Sequence, residues 1–140
     1  MGKNSTIRVL VTVKLSITSA LEHSVKSSIS EDMVKNNLSK ETNGFASLLK
    51  AHDPTTPGGR GIVWHYLEYK YEISLDLYNL IKINSNTLAA QTLKMFKGKR
   101  KDMVMEKVRK GIEDGFRSNI NTNFLNHAAI KLEHVKIREI

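Results

Sequence analysis

Cysteine is absent from this 140-residue chain. No disulfide framework can form, and no metal can be held by thiolates. A reducing compartment fits that composition, and a cytoplasmic location is the expectation. Long apolar runs are absent too: nothing approaches the roughly 18 consecutive apolar residues of a membrane-spanning helix. Near the N-terminus the apolar residues alternate with polar ones, which is not the pattern of a signal peptide. Proline occurs only twice, and both copies fall in residues 53–61. Acidic residues are in deficit: 14 Asp and Glu face 22 Lys and Arg, a net charge of +8. Such an excess favours acidic partners, whether nucleic acid, anionic lipid or an acidic protein surface.

What is present begins with residues 7–17, which read I-R-V-L-V-T-V-K-L-S-I. Ile7, Val9, Val11, Val13, Leu15 and Ile17 occupy every odd position, and the even positions are polar except for Leu10. Successive strand side chains point to opposite faces, so this is a strand with one dry face and one wet face. A single wet face argues for an antiparallel sheet covered on one side. Residues 62–77 repeat the pattern, with Leu67, Tyr69, Tyr71, Ile73 and Leu75 in one phase and Trp64, Tyr66, Glu68, Lys70 and Glu72 in the other. The end of this second strand is open: Ile73, Leu77, Leu80 and Ile81 also fit a helical spacing. Ile130, Leu132, Val135 and Ile137 form a closing strand, whose phase slips near Glu133-His134 as at a β-bulge.

Between the strands the apolar spacing turns helical. Leu21, Val25, Ile29 and Met33 fall four apart, and Ser19 with Glu22 and Ser28 with Glu31 fit the capping-box spacing. One or two helices are expected over residues 19–40, with Ser28 or Ser30 as the break. Asn43-Gly44 signals a turn, and Phe45, Leu48 and Leu49 read as a further helical turn. Residues 84–86 read as a turn and cap, and Leu88, Leu93 and Phe96 as a helix closed by Gly98. A following helix opens at Asp102 and carries Val104, Met105, Val108, Ile112 and Phe116, after which the asparagine-rich residues 119–126 read as a loop. The expected fold is α+β: an antiparallel sheet of at least three strands with helices packed on one face, in a single domain spanning residues 1–140. Terminal strands rich in Val and Ile offer edges through which a homo-oligomer could form.

Charge is densest at residues 94–110, where eight cations face Asp102 and Glu106. Lys97, Lys99, Arg100, Lys101, Lys107 and Lys110 would place a basic tip on a helical hairpin, within reach of a phosphate backbone. The competing reading is a solvated face, since Glu106–Lys110, Arg109–Glu113, Lys110–Asp114 and Glu113–Arg117 are all spaced for pairing within a helix. Pro57-Gly58-Gly59-Arg60-Gly61 resembles an anion nest, but it leads into a strand rather than a helix, so no P-loop or dinucleotide motif is present. Arg60 would supply a cation, with Trp64 and Tyr66 as stacking faces. Met1-Gly2 with Thr6 fits the myristoylation pattern; its position against the first strand leaves almost no tether, which weighs against a lipid anchor.

The five histidines show no metal-ligand spacing, and Glu68 and Glu72 are better placed to pair with Arg8 and Lys14 than for acid–base work. No metal, cofactor or enzymatic activity is therefore expected. The leading expectation is a small basic protein that binds DNA or RNA through phosphate contacts with little sequence preference. The alternatives are a protein-binding or inhibitory module acting as an oligomer, and a small-anion or nucleotide-binding protein using the glycine-rich loop.

Overall fold

The computed structural model describes residues 6–56, 59–60, 64–84, 100–123 and 129–140. Four long antiparallel strands form the sheet. These are β1 (Thr6–Thr18), β2 (Ala46–Ala51), β4 (Trp64–Asp76) and β5 (Ile130–Glu139), in the order β2-β4-β1-β5. The two-residue β3 (Gly59–Arg60) pairs with the start of β4. A 3-10 turn (Ser19–Leu21) and helices α1 (Glu22–Ser28) and α2 (Glu31–Thr42) connect β1 to β2. Helices α3 (Leu77–Asn84) and α4 (Arg100–Asn123) lie between β4 and β5. The fold is α+β, with helices packed against an antiparallel sheet.

The strand alternation decides which face is dry. Val9, Val11, Val13, Leu15 and Ile17 of β1 and Leu67, Tyr69, Tyr71, Ile73 and Leu75 of β4 are buried. They pack against Val25, Val34, Leu38, Leu80, Val104, Val108, Ile112 and Phe116 from the helices. Phe116 is fully buried and meets the Tyr69 ring edge-on at 5.8 Å, while Tyr69 and Tyr71 stack at 6.3 Å. Burying one such aromatic side chain stabilises the fold by about 1.5–3 kcal/mol. The two inner strands β1 and β4 are in register over their full length, from Thr6–Asp76 to Thr18–Trp64.

Several local expectations change. β1 is a central strand, flanked by β4 and β5, and the edges are β2 and β5. Phe45 and Leu48 do not continue a helix: Asn43 (φ 51°) and Gly44 (φ 81°) turn the chain left-handed, and residues 46–51 pair along β4. Two helices fill residues 19–42, and the cap of α2 is Ser30, whose hydroxyl accepts from the Met33 amide at 3.2 Å. The Ser28 hydroxyl instead donates to the Val25 carbonyl. β4 stops at Asp76, whose carboxylate accepts from the Asn79 amide and so caps α3. The helix α4 runs on to Asn123, past the expected loop start, because Ile120 extends the buried stripe and Asn119 donates to the Ser28 carbonyl and to Met33 Sδ. The register shift in β5 falls between His134 and Leu132, and Glu133, the bulged residue, accepts a hydrogen bond from Ser16. The expected turn at residues 85–86, the helix over residues 88–96 and its Gly98 cap lie outside the described residues.

Residues 52–56 and 59–60 are more than a connection. The His52 amide donates to the Lys70 carbonyl, Thr55 and Glu68 exchange both backbone bonds, and Gly59 and Arg60 pair with His65 and Trp64. Thr55, Gly59 and Arg60 therefore continue the β2 edge along β4.

Candidate nucleic-acid interface

The helices take one face of the sheet, and no described helix packs on the other. Register assigns the residues of that face, which is uncovered among the described residues, since directly opposed strand residues share a side. Leu10 stands between Glu72 and Arg138, Thr12 between Lys70 and Lys136, and Lys14 between Glu68 and His134. Ser16 stands between Tyr66 and Lys131, and Thr18 opposite Trp64. The bulge at Glu133 is what brings Lys131 into this set, because it reverses the alternation of β5 between its two ends.

Some of these charges are neutralised. Arg8 pairs with Glu72 at 3.0 Å, and His52 reaches the other oxygen of Glu72 at 2.8 Å. The His52 hydrogen bond, with Arg8 and Lys50 nearby, holds the Glu72 carboxyl below the usual carboxylate range. Glu68 sits 3.7 Å from Lys70. Lys14 turns from Glu68, its cross-strand partner, to lie over the Tyr66 ring. Lys131, Lys136 and Arg138 make no ion pair with any acid among the described residues. A concavity of about 430 Å³ opens in this face, lined by Leu10, Thr12, Glu68, Lys70, His134, Lys136, Ile137 and Arg138. Burial, then Lys136 and Lys14, hold the His134 imidazole below its ordinary range.

The cations expected on the helical hairpin have different surroundings. Lys97 and Lys99 lie outside the described residues, and Arg100 is the first residue of α4. Lys101 Nζ is 2.7 Å from Glu139 Oε1, which ties the start of α4 to the end of β5 and raises the lysine pKa. Lys107 is exposed but engaged, and Lys110 lies 3.5 Å from Asp114. Arg109 donates to Glu106 at 2.7 Å, to Glu113 at 2.7 Å and to the Val135 carbonyl at 3.3 Å, while Glu113 also accepts from Arg117 at 3.1 Å. Three of the four pairs read from spacing are thus formed, and Glu106 takes Arg109 in place of Lys110. These α4 contacts brace the helix against β5.

Of the other expected residues, Trp64 and Tyr66 stand on the uncovered face, and the backbone of Arg60 pairs with Trp64. Tyr69 and Tyr71 belong to the core. His65 points to the helical side, where it meets Glu22 at 3.0 Å. Sequence reading missed the cluster formed by Lys14, Lys70, Lys131, Lys136 and Arg138. The available signal was phase: all five share the wet alternation of their strands once the bulge is placed.

The architecture defines a broad class, an α+β layer of helices on an antiparallel sheet. No family model matches the chain, and no curated protein matches it at a significant level. Among solved structures it is similar to a presumed aminohydrolase from methicillin-resistant Staphylococcus aureus, at 10% identity and TM-score 0.46 over 96% of this chain and 30% of that one. It is also similar to the full extracellular region of zebrafish Gpr126/Adgrg6, at 8% identity and TM-score 0.41 over 100% of this chain and 14% of that one. A third is the Bacillus subtilis YXEP protein, a dinuclear metal binding peptidase of the M20 family, at 7% identity and TM-score 0.34, covering 96% and 26%. The chain spans 30% or less of each of these proteins, and the likenesses assign it no activity.

Proposed function

We propose that this chain binds nucleic acid without catalysis, through the uncovered face of its sheet and with little sequence preference. The observation that supports this reading best is the charge state of β5. Lys131, Lys136 and Arg138 project from one strand beside the Lys14–Tyr66 pair, and no described acid neutralises them. Phosphate binding by release of condensed counterions needs surface cations of this kind. Tyr66 and Trp64 add aromatic surface at one end of the face, where an unpaired base can stack. The same β5 cations weigh against the reading as a strand-edge oligomer. Lys131, Lys136 and Arg138 would be brought together with their counterparts in a second copy, and edge lysines discourage such pairing.

Fluorescence anisotropy of a labelled oligonucleotide, titrated with protein at several salt concentrations, tests the proposal. Affinity should fall steeply with salt, with a logarithmic slope of about −2 or steeper if three or more phosphates of a single strand are engaged. Absence of binding at low salt, or binding indifferent to salt, would remove it.

A further inference from the structure

The concavity on the uncovered face has the makings of a discrete site within the broader surface. Its floor is Thr12 and Leu10 of the central strand β1. Thr12 stands directly between Lys70 of β4 and Lys136 of β5, whose backbones are therefore roughly 10 Å apart across the sheet. Arg138 closes one end of the hollow and His134 the other. Glu68 is the one acid among the lining residues, and it is held by Lys70 at 3.7 Å. Two ammonium groups, a guanidinium and a hydroxyl thus surround a space large enough for one phosphate group, with an imidazole at its margin.

We propose that this hollow is a phosphodiester subsite of the nucleic-acid surface and that His134 is its proton-dependent ligand, so that binding takes up a proton. The inference rests on the nucleic-acid reading and goes beyond it by naming the phosphate site and its coupling to pH. The groups facing His134 are Lys14 from β1, Glu68 and Lys70 from β4, and Glu133, Lys136 and Arg138 from its own strand. In the free protein the half-buried imidazole lies among cations, and burial together with Lys136 and Lys14 disfavours its protonated form. A phosphodiester set between Lys70 and Lys136 brings a negative charge to the same hollow. It offsets the repulsion from Lys14 and Lys136 and offers the protonated ring an acceptor. By linkage, a ligand that raises the imidazole pKa must bind more tightly where the ring is protonated.

The test uses an unphosphorylated oligothymidylate, whose diesters do not titrate between pH 5.5 and 8, at constant ionic strength. The whole chain should bind it at least about threefold more tightly at pH 5.5 than at pH 8. His134→Gln should abolish most of that ratio. Independently, the NMR titration midpoint of the His134 ring in the unmutated protein should rise when the oligonucleotide saturates it. An unmoved midpoint, or a pH ratio that survives His134→Gln, would overturn the subsite assignment while leaving nucleic-acid binding in place. Failure to bind at either pH would overturn both.

Discussion

Lys14 Nζ lies 4.1 Å from the centroid of the Tyr66 ring. The lysine is directly opposite Glu68 in the sheet, yet Glu68 is taken by Lys70. The charge of Lys14 is therefore held over an aromatic surface instead of being cancelled, and the ring is held beside a cation. Trp64 is two residues further along the same strand face and is the only tryptophan of the chain. Its fluorescence should be quenched when an oligonucleotide binds. Tyr66→Ala should weaken binding by about 1–3 kcal/mol, the range for a lost base–aromatic stack, while Tyr66→Phe keeps most of the affinity. Unchanged Trp64 emission on saturation would place the bound strand elsewhere.

A second expectation concerns the core. The Tyr69 hydroxyl is buried and has no hydrogen-bond partner among the described residues. Burial drives its pKa well above the ordinary phenol value. Removing an unsatisfied buried hydroxyl relieves a desolvation cost, so Tyr69→Phe should be neutral or stabilising by up to about 1 kcal/mol. Phe116→Ala, which removes the ring packed against Tyr69, should instead cost about 3–5 kcal/mol. Denaturant unfolding of both variants measures the difference. A large loss in Tyr69→Phe would reveal a partner for the hydroxyl.

Helix α4 carries Gly111 and Gly115, one turn apart, where α2 crosses it. A methyl group at Gly111 would meet Glu41 Cγ at 3.0 Å, and one at Gly115 would collide with the Asn37 amide. Alanine in place of a helical glycine otherwise gains about 1 kcal/mol. Gly115→Ala alone should therefore lower stability, and Gly115→Ala combined with Asn37→Ala should recover it and exceed the Asn37→Ala single variant. Additive effects in this double-mutant cycle would contradict the close crossing.

The Arg109 cluster should set part of the acid sensitivity of the fold. Arg109, then Arg117 for Glu113, hold the carboxyls of Glu106 and Glu113 below the usual range. Groups depressed on folding stabilise above their unfolded pKa, about 4.3 for glutamate, and lose that contribution as pH falls through the folded value. His134 acts at a higher pH. Its lowered value means that the unfolded chain binds the proton more readily, so stability falls as pH drops below about 6.5. Glu113→Gln should flatten the acid limb below pH 5, and His134→Gln the limb between pH 5 and 7. Thermal unfolding across pH separates them, and identical profiles for wild type and Glu113→Gln would exclude the Arg109 contribution.

Strand content was legible in residues 7–17 because one residue in two must face a dry core, and nothing else imposes that alternation over eleven positions. The bulge at Glu133 was legible for the same reason, as a break in phase. β2 was not: Leu48 and Leu49 are adjacent, which looks helical, whereas strand alternation turns Leu48 toward the core side opposite Ile73 and leaves Leu49 exposed. Nor was the length of α4, because Asn119 is a weak helix former whose support comes from Ser28 and Met33, some 86 or more positions away. The proposed site was hidden by the same distance effect. Its cations come from positions 14, 70, 131, 136 and 138, and only strand pairing assembles them, whereas residues 94–110 are dense in charge along the chain. Much of that linear density is spent on Glu106, Glu113, Asp114 and Glu139 once the helix is folded.

The central claim is that this sheet face, rather than the basic stretch before α4, carries the contact with a polyanion. Two charge-reversal variants test it side by side. One changes Lys131, Lys136 and Arg138 to glutamate. The other changes Lys97, Lys99 and Arg100 to glutamate and spares Lys101, which holds Glu139. Anisotropy with the same oligonucleotide, on proteins confirmed folded by circular dichroism, should show binding lost in the first variant and a salt slope shallower by about 2. The second should keep at least half of the wild-type affinity. Loss of binding in the second variant with retention in the first would contradict the account.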